Sequence, residues 1–522
     1  MTETKTYKKE NIFKVIGRAF VNFFTKSIPN FFTKTLPGFF VKFGKSFVKF
    51  FVDFGKRFAE GSVGTKISHF IMGAGNLFHG QIIKGLLYLA LQIGFILYMV
   101  LCPSVVGPNK VRVPTGYKSL INLGLQGTES SVTNWTPGSV IASSNSFLML
   151  LLGLVTIAMI ILFIILWLSN IKSSFLADSA VKEGRKPSSF KEDVMALFDN
   201  RFHILMLTPT CLAALIFTLL PTILMICIAF TTYNDFYMTA QKTTLFHWNG
   251  IDNFISVFTM DASSAIGVEI SARFLPVLGW TFLWAICATF SCYFGGILLA
   301  LLINKKGLKG KKVYRTIFIL TIAVPQFISL MIMRNMLMSE GPINQILMSL
   351  HLTPKAIDFL GQTDKGNPWI ARLTVIIINM WLGIPYTMLM TSGILMNIPA
   401  DLYEAARVDG ASRAKMFFKI TLPYVVFITT PYLIGSFVGN INSFNSIFLL
   451  TSGGPVKYSA TGTTFEAGQT DLLVTWLYKL TIDKHDYNTG AVIGIFTFLI
   501  TATITLVTYR RSKAYNEEDT FQ

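Results

Sequence analysis

Eight stretches of this sequence are each long and apolar enough to cross a bilayer as a helix, and that feature limits every other reading. They lie near 82–102, 147–169, 204–231, 276–303, 316–337, 374–396, 424–450 and 488–509. A hydrocarbon core needs about 20 helical residues to span it. Within it each backbone N–H and C=O must be satisfied by the chain itself, which a helix achieves locally. The expected fold class is therefore an all-α polytopic membrane protein of about eight transmembrane helices. Composition agrees: 52% of the 522 residues are hydrophobic and only 14% are charged, whereas soluble domains carry roughly 25% charged residues.

The charges that remain are sorted between loops. Lys172, Lys182, Arg185, Lys186, Lys191 and Arg201 crowd segment 170–202, and segment 304–315 reads NKKGLKGKKVYR. Segment 397–420 carries Arg407, Arg413, Lys415 and Lys419, and the tail opens with Arg510 and Arg511. The alternate loops, 103–146, 232–275, 338–373 and 451–487, are sparse in Lys and Arg for their length. Basic loops stay on the cytoplasmic side, so both termini are expected there. The net charge of +18 thus finds its counterpart in anionic lipid headgroups rather than in nucleic acid.

Cys102, Cys211, Cys227, Cys287 and Cys292 sit in or beside apolar runs without a CxxC pair, and the six histidines are scattered. Neither a disulfide framework nor a metal site is expected. The start, MTETKTYKKENIF, lacks the apolar core of a cleavable signal peptide.

Residues 1–75 differ from the rest. NFFTK recurs at 22–26 and 30–34, followed by GFFVK at 38–42 and SFVKF at 46–50, with Pro29 and Pro37 between. Paired aromatics alternating with lysines suit an amphipathic leader lying among membrane lipid headgroups. Gly38 to Ser46 imitates a phosphate-binding loop but places five residues between its glycines where four are required, and no strand precedes it. No nucleotide site, and no cofactor bound by this chain, is expected. The expected division is a leader at 1–75, two additional spans at 76–200, a six-span core at 201–510 and a tail at 511–522.

The loop before the seventh span reads Asp401-Leu-Tyr-Glu404-Ala405-Ala406-Arg407-Val408-Asp409-Gly410, then nine residues, then Ile420-Thr-Leu422-Pro423. Residues 404–408 favour a short helix that Gly410 ends. Ser412 can cap a second short helix running toward Ile420, and Pro423 suits the first turn of a new one. A helix-turn-helix held flat at the cytoplasmic face is expected, its alanines permitting close approach by another surface.

This spacing resembles the EAA loop of ABC importer permeases: EAA, three residues, Gly, nine residues, Ile-x-Leu-Pro. The likeness extends over roughly 200–510 and is similar above all to the larger permease subunit of maltose and maltodextrin importers. It rests also on Asn379-Met-Trp381-Leu-Gly383-Ile-Pro385-Tyr386, on Ser436 to Phe444 with Leu449-Leu-Thr-Ser-Gly453-Gly454-Pro455, and on Thr470-Asp471-Leu472-Leu473-Val474. The resemblance implies a type I importer permease core in a multi-pass bacterial plasma-membrane protein. It implies a non-catalytic subunit that works with a second permease subunit, two copies of an ATPase subunit that use ATP and Mg, and an extracellular sugar-binding protein. Glu404, Ala405, Ala406, Asp409 and Gly410 would be the residues coupling this chain to the ATPase.

Asn379, Gly383 and Tyr386 share one helix face at i, i+4 and i+7, and Ser436, Asn440 and Ser443 repeat the spacing in the next span with Gly439 beside them. Two such stripes make either a neutral polar cavity for a sugar or ordinary small-residue packing between helices. The resemblance favours sugar contact by Asn379, Leu382, Gly383, Tyr386, Ser436, Gly439, Asn440 and Ser443. Two departures from the family pattern stand out: Gly439 replaces a large aromatic and Ser443 an amide. They predict longer oligosaccharides or a shifted pose. The 232–275 loop is also far shorter than the external domain of the larger maltose permease, leaving less material to meet a binding protein.

Alternative functions are another neutral oligosaccharide or glycerol-phosphate importer, a secondary sugar transporter, or a non-transporting scaffold. A secondary transporter would usually carry ionisable residues at membrane depth, and these spans are nearly free of them, with Arg334 toward an outer end. A phosphate substrate should demand arginines in the stripes, and a scaffold would leave the EAA spacing unexplained.

Overall fold

The computed structural model describes residues 33–34, 36–106, 112–125, 146–234, 246–259, 265–305, 307–363, 366–456 and 467–511. The repeat at 22–32 lies outside them. Among the described residues seven helices can cross a membrane, and a bent pair makes an eighth. The chain divides into two compact units, Met1–Gly250 and Ile251–Gln522.

In the first unit the described part of the leader forms α1 (Leu36–Glu60), followed by two short helices, α2 (Val63–Ile67) and α3 (Ala74–Phe78). Pro37 falls in the first turn of α1, where its missing N–H costs nothing. The span α4 (Ile82–Leu101) leads to an antiparallel ribbon, β1 (Ser104–Val106) with β2 (Arg112–Pro114), and to α5 (Gly116–Leu125). Among the described residues this ribbon and a β-bridge between Thr231 and Trp248 depart from the helical pattern.

The second span, α6, runs from Ser146 to Lys182, about 55 Å at 1.5 Å per residue. It continues past 169 because no Gly or Pro intervenes before Gly184 and because its last turns are paired with 62–81. The Asn170 amide accepts the Gly73 N–H at 2.9 Å and donates to the Ser68 carbonyl at 3.0 Å. Asp178 accepts the Ser62 N–H at 2.9 Å and pairs with Lys182 at 3.0 Å. Next, α7 (Phe190–Phe198) is fixed by a capping box between Ser189 and Glu192, and α8 (Phe202–Ala229) spans with a π turn at Leu215–Leu219.

In the second unit, α9 (Asp252–Ser256) precedes the long α10 (Ala265–Asn304). The expected span 316–337 is broken. Helix α11 (Lys311–Ala323) and helix α12 (Gln326–Leu337) meet at a 93° bend that carries on into α13 (Pro342–Ser349). Pro325 causes the break: its ring drives Val324 out of the helical region, to φ −78°, ψ 126°.

Helix α14 (Pro368–Met396) leads to α15 (Ala400–Val408). The next span, α16, runs unbroken from Arg413 to Ile441. The stretch expected as a separate flat helix is thus the first turns of the span itself. A π turn at Phe417–Thr421 lies immediately before Pro423, widening the helix where that ring would otherwise strike the carbonyl four residues back. α16 ends at Ile441, short of the expected 450, and Ser443 begins the separate α17 (Phe444–Phe448). The unit closes with α18 (Leu473–Tyr478) and the span α19 (Tyr487–Arg511).

The most extensive packing is between α10 and α14. Their glycines set the distance: a methyl on Gly383 would lie 2.5 Å from Cys292 Sγ, and one on Gly295 2.7 Å from Ile384 Cδ1. A core of Trp280, Trp284, Leu330, Val375, Ile447 and Leu472 fills the end of this pair far from α15. There Trp280 Nε1 donates to the Thr470 carbonyl at 3.0 Å, and the Arg372 guanidinium lies 4.5 Å over the Trp280 ring.

Candidate functional site

Helices α10, α14 and α16 line an open cavity of about 280 Å³. From α14 it is lined by Asn379, Gly383 and Tyr386, and from α16 by Ser436, Gly439 and Asn440. Those six are the two stripes expected from the spacing, brought face to face. Leu382 and Ser443 are not among the lining residues. Leu382 packs against the Trp280–Trp284 core. Ser443 lies beyond the end of α16, and its hydroxyl donates to Ser446 Oγ at 2.9 Å.

The sequence reading missed five lining residues: Ala288, Thr289 and Cys292 of α10, with Tyr432 and Leu433 of α16. Tyr432 sits four residues before Ser436, so extending the stripe by one turn would have found it. The α10 residues carried no comparable signal, because a polar stripe there is recognisable only once its neighbours are known.

The wall chemistry is uncharged and mixed. Asn440 Nδ2 donates to Thr289 Oγ1 at 2.9 Å, and Trp284 Nε1 donates to the Asn440 carbonyl at 3.1 Å. The bond to Thr289 turns the Asn440 side chain toward α10, and the bond from Trp284 holds its backbone carbonyl. Asn379 Nδ2 reaches Cys292 Sγ at 3.6 Å, a weak partner for an amide. The Tyr386 and Tyr432 rings stack, centroids 5.8 Å apart and 30° between planes, and the hydroxyls of Tyr432 and Thr387 are 3.2 Å apart. A Cβ built on Gly439 meets nothing within 4 Å, so this glycine leaves open space where a side chain would fit. No lining residue is a carboxylate, lysine, arginine or histidine.

A second arrangement lies at the near end of α16. Gly410, at φ +69°, stops α15 and returns its own N–H to the Arg407 carbonyl. Ser412 Oγ then accepts the Lys415 N–H at 3.3 Å and caps the start of α16. Tyr403 OH lies 2.8 Å from Thr421 Oγ1, fastening α15 to the first turns of the span. Glu404, Ala405, Asp409 and Gly410 are exposed and Ala406 is half-buried. This surface is continuous, through one helix, with Ser436, Gly439 and Asn440, roughly 35 Å away at 1.5 Å per residue.

A buried ion pair joins Asp471 to Lys479 Nζ at 2.7 Å, with the Gly468 N–H at 2.7 Å and the Thr475 hydroxyl at 2.9 Å completing the carboxylate's partners. Burial pushes the Asp471 carboxyl above its usual range even with Lys479 beside it. Every oxygen is engaged with its own chain, so the pair reads as a structural clamp. Among the described residues no group of three His, Cys, Asp or Glu gathers as a metal site would require.

Comparison with known proteins decides the class. Residues 292–514 match the family described as the inner membrane component of binding-protein-dependent transport systems. The maltodextrin transport system permease protein MalC of Streptococcus pneumoniae is 30% identical over 455 residues, 86% of this chain and 95% of the relative. The chain belongs to this permease family. A second relative, the galactooligosaccharide permease protein GanP of Bacillus subtilis, is 31% identical over 449 residues, 86% of this chain and 97% of the relative. The maltose/maltodextrin permease protein MalF of Escherichia coli is 38% identical over 268 residues, about half of each chain. As a permease of this family the chain is a multi-pass membrane subunit whose work is transport. The family match begins at Cys292, on the cavity wall, and contains the α15–α16 junction.

Proposed function

We propose that this chain forms the translocation path for a neutral oligosaccharide of the maltodextrin type, delivered by an extracellular binding protein and driven by partner ATPase subunits. The observation that carries the reading is the cavity between α10, α14 and α16. It offers amides, hydroxyls and two stacked aromatic rings without a formal charge. Sugars need hydrogen bonds to many hydroxyls and a flat apolar face against their C–H surface, and they carry no charge to neutralise. A phosphorylated substrate would leave its anion unpaired here, at a cost of several kcal/mol in a desolvated site. Asn379, Gly383, Tyr386, Ser436, Gly439 and Asn440 are proposed to contact sugar, together with Tyr432 and Thr289. Leu382 and Ser443 would act from behind the wall in this conformation.

Glu404, Ala405, Ala406, Asp409 and Gly410 are proposed to dock on an ATPase subunit, where ATP and Mg would be used. The Tyr403–Thr421 contact and the unbroken α16 support this, because they tie α15 to the helix that carries half of the cavity wall. One such loop per chain implies a second permease subunit and two ATPase copies. The basic loops support a placement of both termini on the ATPase side, and the core at 201–510 would do the transporting. A galactooligosaccharide is the second reading, favoured by the similar identity to a relative named for that sugar.

ATPase activity of the reconstituted complex with its binding protein tests both parts. Maltodextrin is expected to stimulate hydrolysis in the wild type, and Gly410→Pro is expected to abolish stimulation in an assembled complex. Pro cannot adopt the positive φ of Gly410 and lacks the N–H bonded to Arg407. Stimulation by galactooligosaccharides alone would transfer the assignment to the second reading. An assembled Gly410→Pro complex with unchanged stimulation would remove the coupling role.

A further inference from the structure

Transport does not account for α1. On a helical wheel Phe47, Phe50, Phe51, Phe54 and Phe58 fall within an arc of about 100°, and Lys42, Lys45, Lys49 and Lys56 occupy the opposite side. The two ends of the phenylalanine face have different surroundings. At the C-terminal end Phe54 and Phe58 set their rings against His69 at 5.2 and 5.1 Å, and Phe54 also packs 5.6 Å from Trp167 of α6. Trp167 Nε1 donates to the His69 carbonyl at 2.9 Å, and Lys182 Nζ donates to the Glu60 carbonyl at 2.7 Å. That end is clamped to a membrane span. At the other end Phe47 and Phe51 are each 55% exposed, more than the 42% of Phe58.

We propose that the N-terminal half of α1, about residues 36–52, is a binding site for anionic phospholipid, held at the bilayer surface by the clamp at its other end. Two features select this occupant. Five basic side chains stand against Asp53 and Glu60 within α1, so the polar face matches phosphate headgroups and would repel a second copy of itself. The phenylalanine face continues along the same helix line to Trp167, which lies in a span, so seating it at the acyl boundary needs no rearrangement of the clamp. The proposal goes beyond the transport reading and does not depend on which sugar is carried.

The test is amide hydrogen exchange of residues 36–52 in the full-length protein, in nanodiscs of phosphatidylcholine and of a phosphatidylglycerol-rich mixture. Exchange is expected to slow at least about tenfold in the anionic discs, since each of Lys42, Lys45 and Lys49 near such a surface adds up to about a fivefold preference. Raised salt should erase the difference. The triple change Lys42→Glu, Lys45→Glu, Lys49→Glu should remove the lipid dependence while exchange in α4 and α6 stays slow, which shows that the unit remains folded. Equal exchange in the two disc types would overturn the proposal. So would equal protection in lipid-free detergent, which would mean that some contact other than anionic lipid orders the segment.

Discussion

Two asparagines, one in each unit, separate two uses of a polar side chain inside a membrane protein. Asn170 in α6 is fully buried, and its amide is spent on the backbone of Gly73 and Ser68. Asn379 in α14 is half-buried on a cavity wall, with a sulfur 3.6 Å away as its side-chain hydrogen-bond partner among the described residues. Residue type and host helix are alike. The first amide joins the short-helix segment at 62–81 to a span, and the second keeps its hydrogen-bonding capacity for something that enters. The difference lies in the partners, and partners are long-range: 97 residues separate Asn170 from Gly73.

The contrast is broken most strongly by truncating each amide. Asn170→Ala leaves a buried N–H and a buried C=O unpaired, each costing about 1–3 kcal/mol. Thermal unfolding of the purified protein should begin several degrees lower, and protease should cut near 61–81 first. Asn379→Ala should do the reverse, holding stability within about 1 kcal/mol while transport falls roughly three- to tenfold, the worth of a lost hydrogen bond to substrate. If Asn379→Ala lowers the unfolding temperature as much as Asn170→Ala does, the amide is helix glue and the cavity loses one polar wall.

A second, smaller effect probes how closely the cavity-bearing helices are held. In Gly383→Ala the added methyl meets Cys292 Sγ at 2.5 Å and Cys292 Cβ at 3.2 Å, and overpacking of this kind costs about 1–3 kcal/mol. The double variant Gly383→Ala, Cys292→Ala removes the sulfur and should recover most of the lost thermal stability. No loss in the single variant would mean that α10 and α14 part easily, and that their glycines do not set the cavity width.

Local features of the fold were readable from residues alone, and long-range ones were not. The Gly410 turn and the Ser412 cap are fixed within a few residues, so their sequence signals sufficed. The stripes were legible as far as Asn440 because a 3.6-residue period holds inside one helix. The reading failed at Ser443 because hydropathy continues to 450 while the helix ends at Ile441. Hydropathy runs through Pro325 as one span at 316–337, yet the chain breaks there by 93°, because the proline ring forces Val324 out of helical geometry. Hydropathy likewise ended the second span at 169, where Asn170, Ser174 and Asp178 begin. Their partners at 62–81 keep the helix going. Thr289 and Cys292 went unnoticed because nothing in α10 alone says which face looks onto two other helices.

Tyr432 gives the finest test of the cavity side of the comparison, because it joins an apolar face to one hydroxyl. Tyr432→Ala removes the ring stacked on Tyr386 and should weaken apparent sugar affinity about tenfold, in line with the 0.5–1.5 kcal/mol carried by an aromatic pair plus its buried area. Tyr432→Phe keeps the ring and loses only the contact with Thr387, 3.2 Å away. Thr387 retains a 3.4 Å contact to the Gly383 carbonyl, so it is not left unpaired. The phenylalanine variant should therefore stay within about threefold of wild type, below the worth of one neutral hydrogen bond. Equal losses in the two variants would show that the hydroxyl, not the ring, meets the substrate. The cavity would then be read as a hydrogen-bonding cup whose stacked tyrosines only brace its wall.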